Sequence, residues 1–199
     1  MPEYRKTGKQ RFGAATGIFA PIVAFTCILV AIASYPSFSW TSNALSDLGV
    51  IAGITGLLFN FGLCASGLLA LNFALFGLFA YLGKTWVGKA GAAAFAAATI
   101  MLIAIGVFNE HYSGTHYAFS VAFFTLMPIS MFIITCAFLL AHQGRMALFT
   151  ISTGVAAALP WLLLFAFKYV PNVAIPEFVS GLVVSGWTIM LGYKMLKSG

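Results

Sequence analysis

The sequence predicts an all-α polytopic membrane protein, a six-transmembrane-helix bundle with both termini in the cytoplasm. Three observations predict it. Of 199 residues, 61% are hydrophobic and 7% charged, more apolar surface than a soluble domain of this size can bury. The apolar residues fall into runs of about 20, the length a helix needs to cross the hydrocarbon layer. Lys and Arg occupy the short flanks between those runs. Backbone polar groups in lipid must be paired within the segment, so such runs become helices. The short alternating segments of a membrane barrel are absent.

The spans follow in order. The first run covers residues 12–34. Its basic start and Ala31-Ile32-Ala33 imitate a cleavable signal, but the run is longer than a signal's apolar region, so a retained helix is expected. It ends in the aromatic, turn-rich stretch Tyr35-Pro36-Ser37-Phe38-Ser39-Trp40. Residues 41–55 are moderately apolar and contain Asp47, which suits an interfacial or re-entrant start to the second helix with Ser42 or Asn43 as N-cap. The remaining spans are expected over residues 56–82, 90–108, 117–141, 147–167 and 178–195, and together the six make one transmembrane domain covering residues 1–199.

The net charge of +6 does not point to nucleic acid, because the basic residues form no patch or stripe. They set the topology instead. Arg5, Lys6, Lys9, Arg11, Lys84, Lys89, Arg145, Lys194 and Lys197 fall on one side and Lys168 alone on the other, which places the termini in the cytoplasm of a multi-pass cell-membrane protein.

Small residues supply packing faces: Gly62-xxx-Ser66, the Gly88 to Ala98 stretch, and Gly181-xxx-Ser185. Pro128 and Pro160 should kink their helices. Cys27, Cys64 and Cys136 lie inside apolar runs without metal or disulfide spacing, so packing is their default role. There is no Gly-rich phosphate loop, no nucleophile elbow and no pair of His residues within the spans.

Chemistry is concentrated in the outward loops. Three of the four acidic residues, Asp47, Glu110 and Glu177, lie at outer helix ends, and His111 and His116 join them. Acids contribute little to orientation, so this bias exceeds what topology needs. A divalent metal such as zinc, held by Asp47, Glu110, His111 and His116, is one expectation. Against it, Glu110-His111-xxxx-His116 lacks the His pair at i, i+4 that places two imidazoles on one helix face. Structural roles compete residue by residue. Asp47 suits the positive end of a helix, Glu177 after Pro176 reads as a helix N-terminal charge, and Asn60 and Asn72 suit bonds between helices.

The stretch Asn43-Ala44-Leu45-Ser46-Asp47-Leu48-Gly49, with Phe59-Asn60, Gly67 and His116, resembles the small prokaryotic membrane proteins grouped as domain of unknown function 998. The resemblance implies a six-helix bundle, supplies no activity, and draws attention to Ser46, Asp47, Asn60 and His116. A more distant likeness is to membrane hydrolases that include alkaline ceramidases, but this chain has no His-xxx-His pair and six spans where those have seven.

The leading expectation is a membrane protein that binds a lipid or a membrane partner, a homo-oligomer included, through the outward Asp/Glu/His cluster. The alternative is a metal-dependent hydrolase of lipids at the outer leaflet, with Asp47, Glu110 and His116 as catalytic groups. A third is a transporter or channel for a neutral solute.

Overall fold

The computed structural model describes residues 7–197, so Arg5 and Lys6 lie outside the described residues. Among the described residues there is no strand, and six helices are long and apolar enough to cross a membrane. Helix α1 (Gly8–Ala33) starts before the apolar run because Thr7 and Gln10 form a capping box. The Thr7 hydroxyl accepts from the Gln10 amide at 3.4 Å, and the Gln10 side-chain oxygen accepts from the Thr7 amide at 3.0 Å. Helix α2 (Ile54–Leu82) widens into a π turn at Phe73–Leu78. Helix α3 (Trp86–Val107) is capped by the Thr85 hydroxyl, which accepts from the Gly88 amide at 3.0 Å. A 3-10 turn at Glu110–Tyr112 leads into α4 (Ser113–Leu140). Helices α5 (Gly144–Phe167) and α6 (Ala174–Lys197) complete the set.

Two expectations need correction here. The segment before α2 is not that helix's first turn: it is an irregular loop with a 3-10 turn at Ser46–Val50. Helix α2 follows Gly53, at φ +85, with no side-chain cap, so neither Ser42 nor Asn43 caps it.

Each helix packs on its neighbours in the chain, and α6 closes the ring against α1. From α2 to α6 short connections enforce this order, since they leave consecutive helices nowhere to go but antiparallel and adjacent. Bare backbone makes the contacts close. A Cβ on Gly13 of α1 would lie 2.7 Å from the Gly77 nitrogen in the π turn, and one on Gly91 of α3 would lie 2.7 Å from Cγ1 of Ile134 in α4. At the α1–α6 seam the close approach is Gly192 on Ala14, where a Cβ would meet the Ala14 carbonyl oxygen at 2.6 Å. Gly181, the position expected from spacing, would find only Phe25 at an ordinary 3.6 Å.

The half of the bundle near the termini is solid. Trp187 of α6 is fully buried, its indole nitrogen donates to the Thr150 hydroxyl of α5 at 2.9 Å, and its ring lies 5.8 Å from Phe95 of α3. Phe95 in turn meets Phe73 of α2 at 5.9 Å. The 20 Phe residues therefore divide between two tasks. Phe59, Phe73, Phe95 and Phe138 fill the interior, whereas Phe12, Phe19, Phe61, Phe165 and Phe167 face outward as bulk for lipid. Opposite both termini a narrow central cavity of about 140 Å³ opens between Pro21, Phe59, Thr99 and Pro128 and ends on the rings of Phe73 and Phe95.

Candidate functional site

The loop before α2 crosses the distal mouth of the ring, and its own side chains shape it. The Asn43 carbonyl oxygen of the side chain accepts from the Ser39 amide at 2.9 Å. Its amide nitrogen donates to Oδ2 of Asp47 at 2.7 Å, and the Ala44 amide donates to the same oxygen at 3.0 Å. Asp47 thereby ties off the turn, as an acid at the start of a short helix does. Leu48 follows, wholly buried in an apolar cluster with Ile28, Ala31 and Phe59. The Gly49 carbonyl accepts from the side-chain amides of Asn60 at 2.8 Å and Asn109 at 3.2 Å. A Cβ at Gly49 would lie 2.6 Å from the Asn60 oxygen, so only glycine fits under that clamp. Asn60 is thus a fastener of the loop. Asn72, as expected, bonds between helices, accepting from the Thr16 hydroxyl at 3.5 Å.

Both flanks of the ring hold this loop. On one side the Ser46 hydroxyl donates to Oε1 of Glu110 at 2.6 Å. On the other the Leu45 amide donates to Oε2 of Glu177 at 2.6 Å, the Asn172 side chain donates to the Ser42 carbonyl at 2.9 Å, and the Ala174 amide donates to the Asn43 carbonyl at 3.1 Å. Glu177 does lie in the first turn of α6, but its carboxylate reaches another element and does not merely sit on its own helix end.

His116, in the first turn of α4, is 6% exposed. Its Nδ1 donates to the Phe108 carbonyl at 2.8 Å, because a carbonyl can only accept. Nε2 is buried without a hydrogen-bond partner, 4.0 Å from Oε1 of Glu110. Asp47 neighbours Glu110, and Glu177 lies within electrostatic range of both.

These groups share one cavity of about 510 Å³. Its polar end is formed by Ser46, Asp47, Glu110, His116 and Glu177. Its wall continues down α4 through Tyr117, Val121 and Phe124 and down α5 through Phe165 and Trp161. Tyr117 and Phe165 are 72% and 75% exposed, so the cavity opens sideways between α4 and α5, on the lipid-facing surface. The Phe124 and Trp161 rings close its deep end at 4.6 Å. The Trp161 indole nitrogen there is buried without a partner.

The structure brings Asp47, Glu110, His116, Glu177 and Ser46 together and leaves His111 apart. The His111 side chain is exposed and does not line the cavity. Among the described residues no group of three or more His, Cys, Asp and Glu side chains is arranged to hold a metal ion. Asp47 is committed through Oδ2 to Asn43 and Ala44, while His116 turns only Nε2 to the cavity. Tyr117, Val121 and Trp161 carry no mark in the sequence, where they read as ordinary span residues.

The whole-chain comparison agrees with the bundle. A family model described as a protein of unknown function (DUF998) matches residues 18–194. No curated protein and no solved structure matches the chain.

Proposed function

The chain belongs to the DUF998 family of proteins of unknown function, and from that premise we propose that it is a cell-membrane protein that binds a lipid-like amphiphile in the lateral cavity. The observation that carries this reading is the cavity's grading from acids and imidazole at the membrane surface to aromatic rings deeper in the bilayer. A head group belongs at the first end and a hydrocarbon chain along the second. Phe124 lies eight residues below His116 on α4, about 12 Å at the helical rise, a depth that suits a hydrocarbon chain beneath a head group. Seven of the eight described Lys and Arg residues sit at the end holding the termini, and Lys168 alone at the cavity end. That bias supports cytoplasmic termini and a site at the outer leaflet.

The test is lipid retained by the protein after purification in native lipid discs. Wild type is expected to carry about one amphiphile per chain by mass spectrometry, and Val121→Trp, which fills the wall without touching the acids, to carry none while melting normally. An empty wild type, or an equally loaded tryptophan variant, overturns the reading.

One observation favours hydrolysis as a second reading. Ser46 gives its proton to Glu110 at 2.6 Å, which is the contact between a nucleophile and its base. Neither group needs a metal for this. If it operates, a long-chain ester is cleaved by wild type and cleavage falls at least about 100-fold in Ser46→Ala, the scale of one positioned acid–base contact. The solid half of the bundle around Trp187 lends the transport alternative no supporting observation.

A further inference from the structure

We infer that the head group this cavity takes is a protonated primary amine. The inference rests on the amphiphile reading above and narrows it to one chemical class. The polar end of the cavity gathers three acids and an imidazole among neutral groups such as Ser113 and Asn172. Asp47, Glu110 and Glu177 bring three carboxyl groups to it, and no Lys or Arg lines it. The protein's own donors leave most of that capacity open. Glu110 accepts from Ser46 and Glu177 from the Leu45 amide, and each carboxyl group has further lone pairs to offer.

His116 is the independent witness. It is 6% exposed and its Nε2 has no hydrogen-bond partner. Because Nδ1 carries the hydrogen that faces the Phe108 carbonyl, Nε2 is the ring atom turned to the cavity, and in that tautomer it is an acceptor. A buried acceptor is costly to leave unpaired, and the group 4.0 Å away, Glu110, is also an acceptor. A donor arriving from outside would satisfy both.

The candidates sort by chemistry. An anionic head meets three carboxyl groups and finds no Lys or Arg to pair with. A metal ion finds no ligand set among the described residues. A quaternary ammonium brings charge without N–H donors, and an alcohol brings one donor without charge. A primary ammonium brings a charge and three donors, enough for His116, Glu110 and Glu177 together.

The experiment compares four ligands of one chain length on the full-length protein in phosphatidylcholine discs: tetradecylamine, tetradecanol, tetradecyltrimethylammonium and tetradecanoic acid. Native mass spectrometry reads occupancy and a thermal melt reads the shift. Tetradecylamine is expected to bind one per chain, at least about tenfold tighter than the other three, which is the worth of one charge-assisted hydrogen bond. Glu177→Gln keeps an acceptor for the Leu45 amide and is expected to erase that preference without changing tetradecanol binding. Equal binding of amine and alcohol by wild type overturns the amine head while leaving an amphiphile site in place. Equal binding of the amine and the quaternary ammonium overturns it too, by showing that charge alone is read. Binding of none of the four, with no retained lipid, removes the amphiphile reading itself.

Discussion

Trp187→Ala is expected to destabilise the protein by about 3 kcal/mol, measured as the shift in unfolding when the protein is titrated from mild detergent into dodecyl sulfate. The value is taken from the low end of the range for deleting a buried aromatic ring. In lipid there is no hydrophobic driving force between helices, so the loss comes from packing alone. It is nonetheless large, because Trp187 is wholly buried, touches Phe95, and is bonded to Thr150, which is itself buried. Trp187→Phe keeps most of the ring contacts and is expected to cost about 1 kcal/mol, close to one hydrogen bond between membrane helices. If the alanine variant unfolds like wild type, the ring is not what holds the solid half together.

A second large effect is expected at Gly62, where an added Cβ would collide with the Cβ of Cys27 on α1. Gly62→Ala should cost about 2 kcal/mol, since the colliding atom is the root of a side chain and can retreat only if the helices part. Cys27→Gly removes that atom, though a glycine inside a helix itself costs about 1 kcal/mol. The double variant is therefore expected to be less destabilised than the sum of the two single variants, and strict additivity would show that the contact is looser than described.

The spans were legible because hydropathy is decided locally. Their ends were less so. Helix α1 begins at Gly8 and not near residue 12 because Thr7 and Gln10 cap each other, and α4 begins at Ser113 because the hairpin turn is only Glu110–Tyr112. Asn43 could be seen as a capping residue, but which turn it ties depended on Asp47 folding back on it. Short loops imply that consecutive helices touch, yet nothing in them tells that α6 returns to α1. That closure is what turns Glu177 from a helix-end charge into a partner of Leu45, 132 residues away. His116 stood out in the sequence because an imidazole in an apolar chain is conspicuous. Trp161, Tyr117 and Val121 did not, because a helix apolar on all sides gives no hint of which face meets lipid and which lines a cavity.

The loop over the mouth of the ring is fastened on one side to the α3–α4 hairpin and on the other to the start of α6. A membrane chain is made from its N-terminus, so α6 arrives after the five helices before it. Until it does, Glu177 is missing from the cavity and the Leu45 amide has no acceptor. The cavity is thus a late product of biogenesis: the first five helices can span the bilayer before the Glu177 side of its polar end exists.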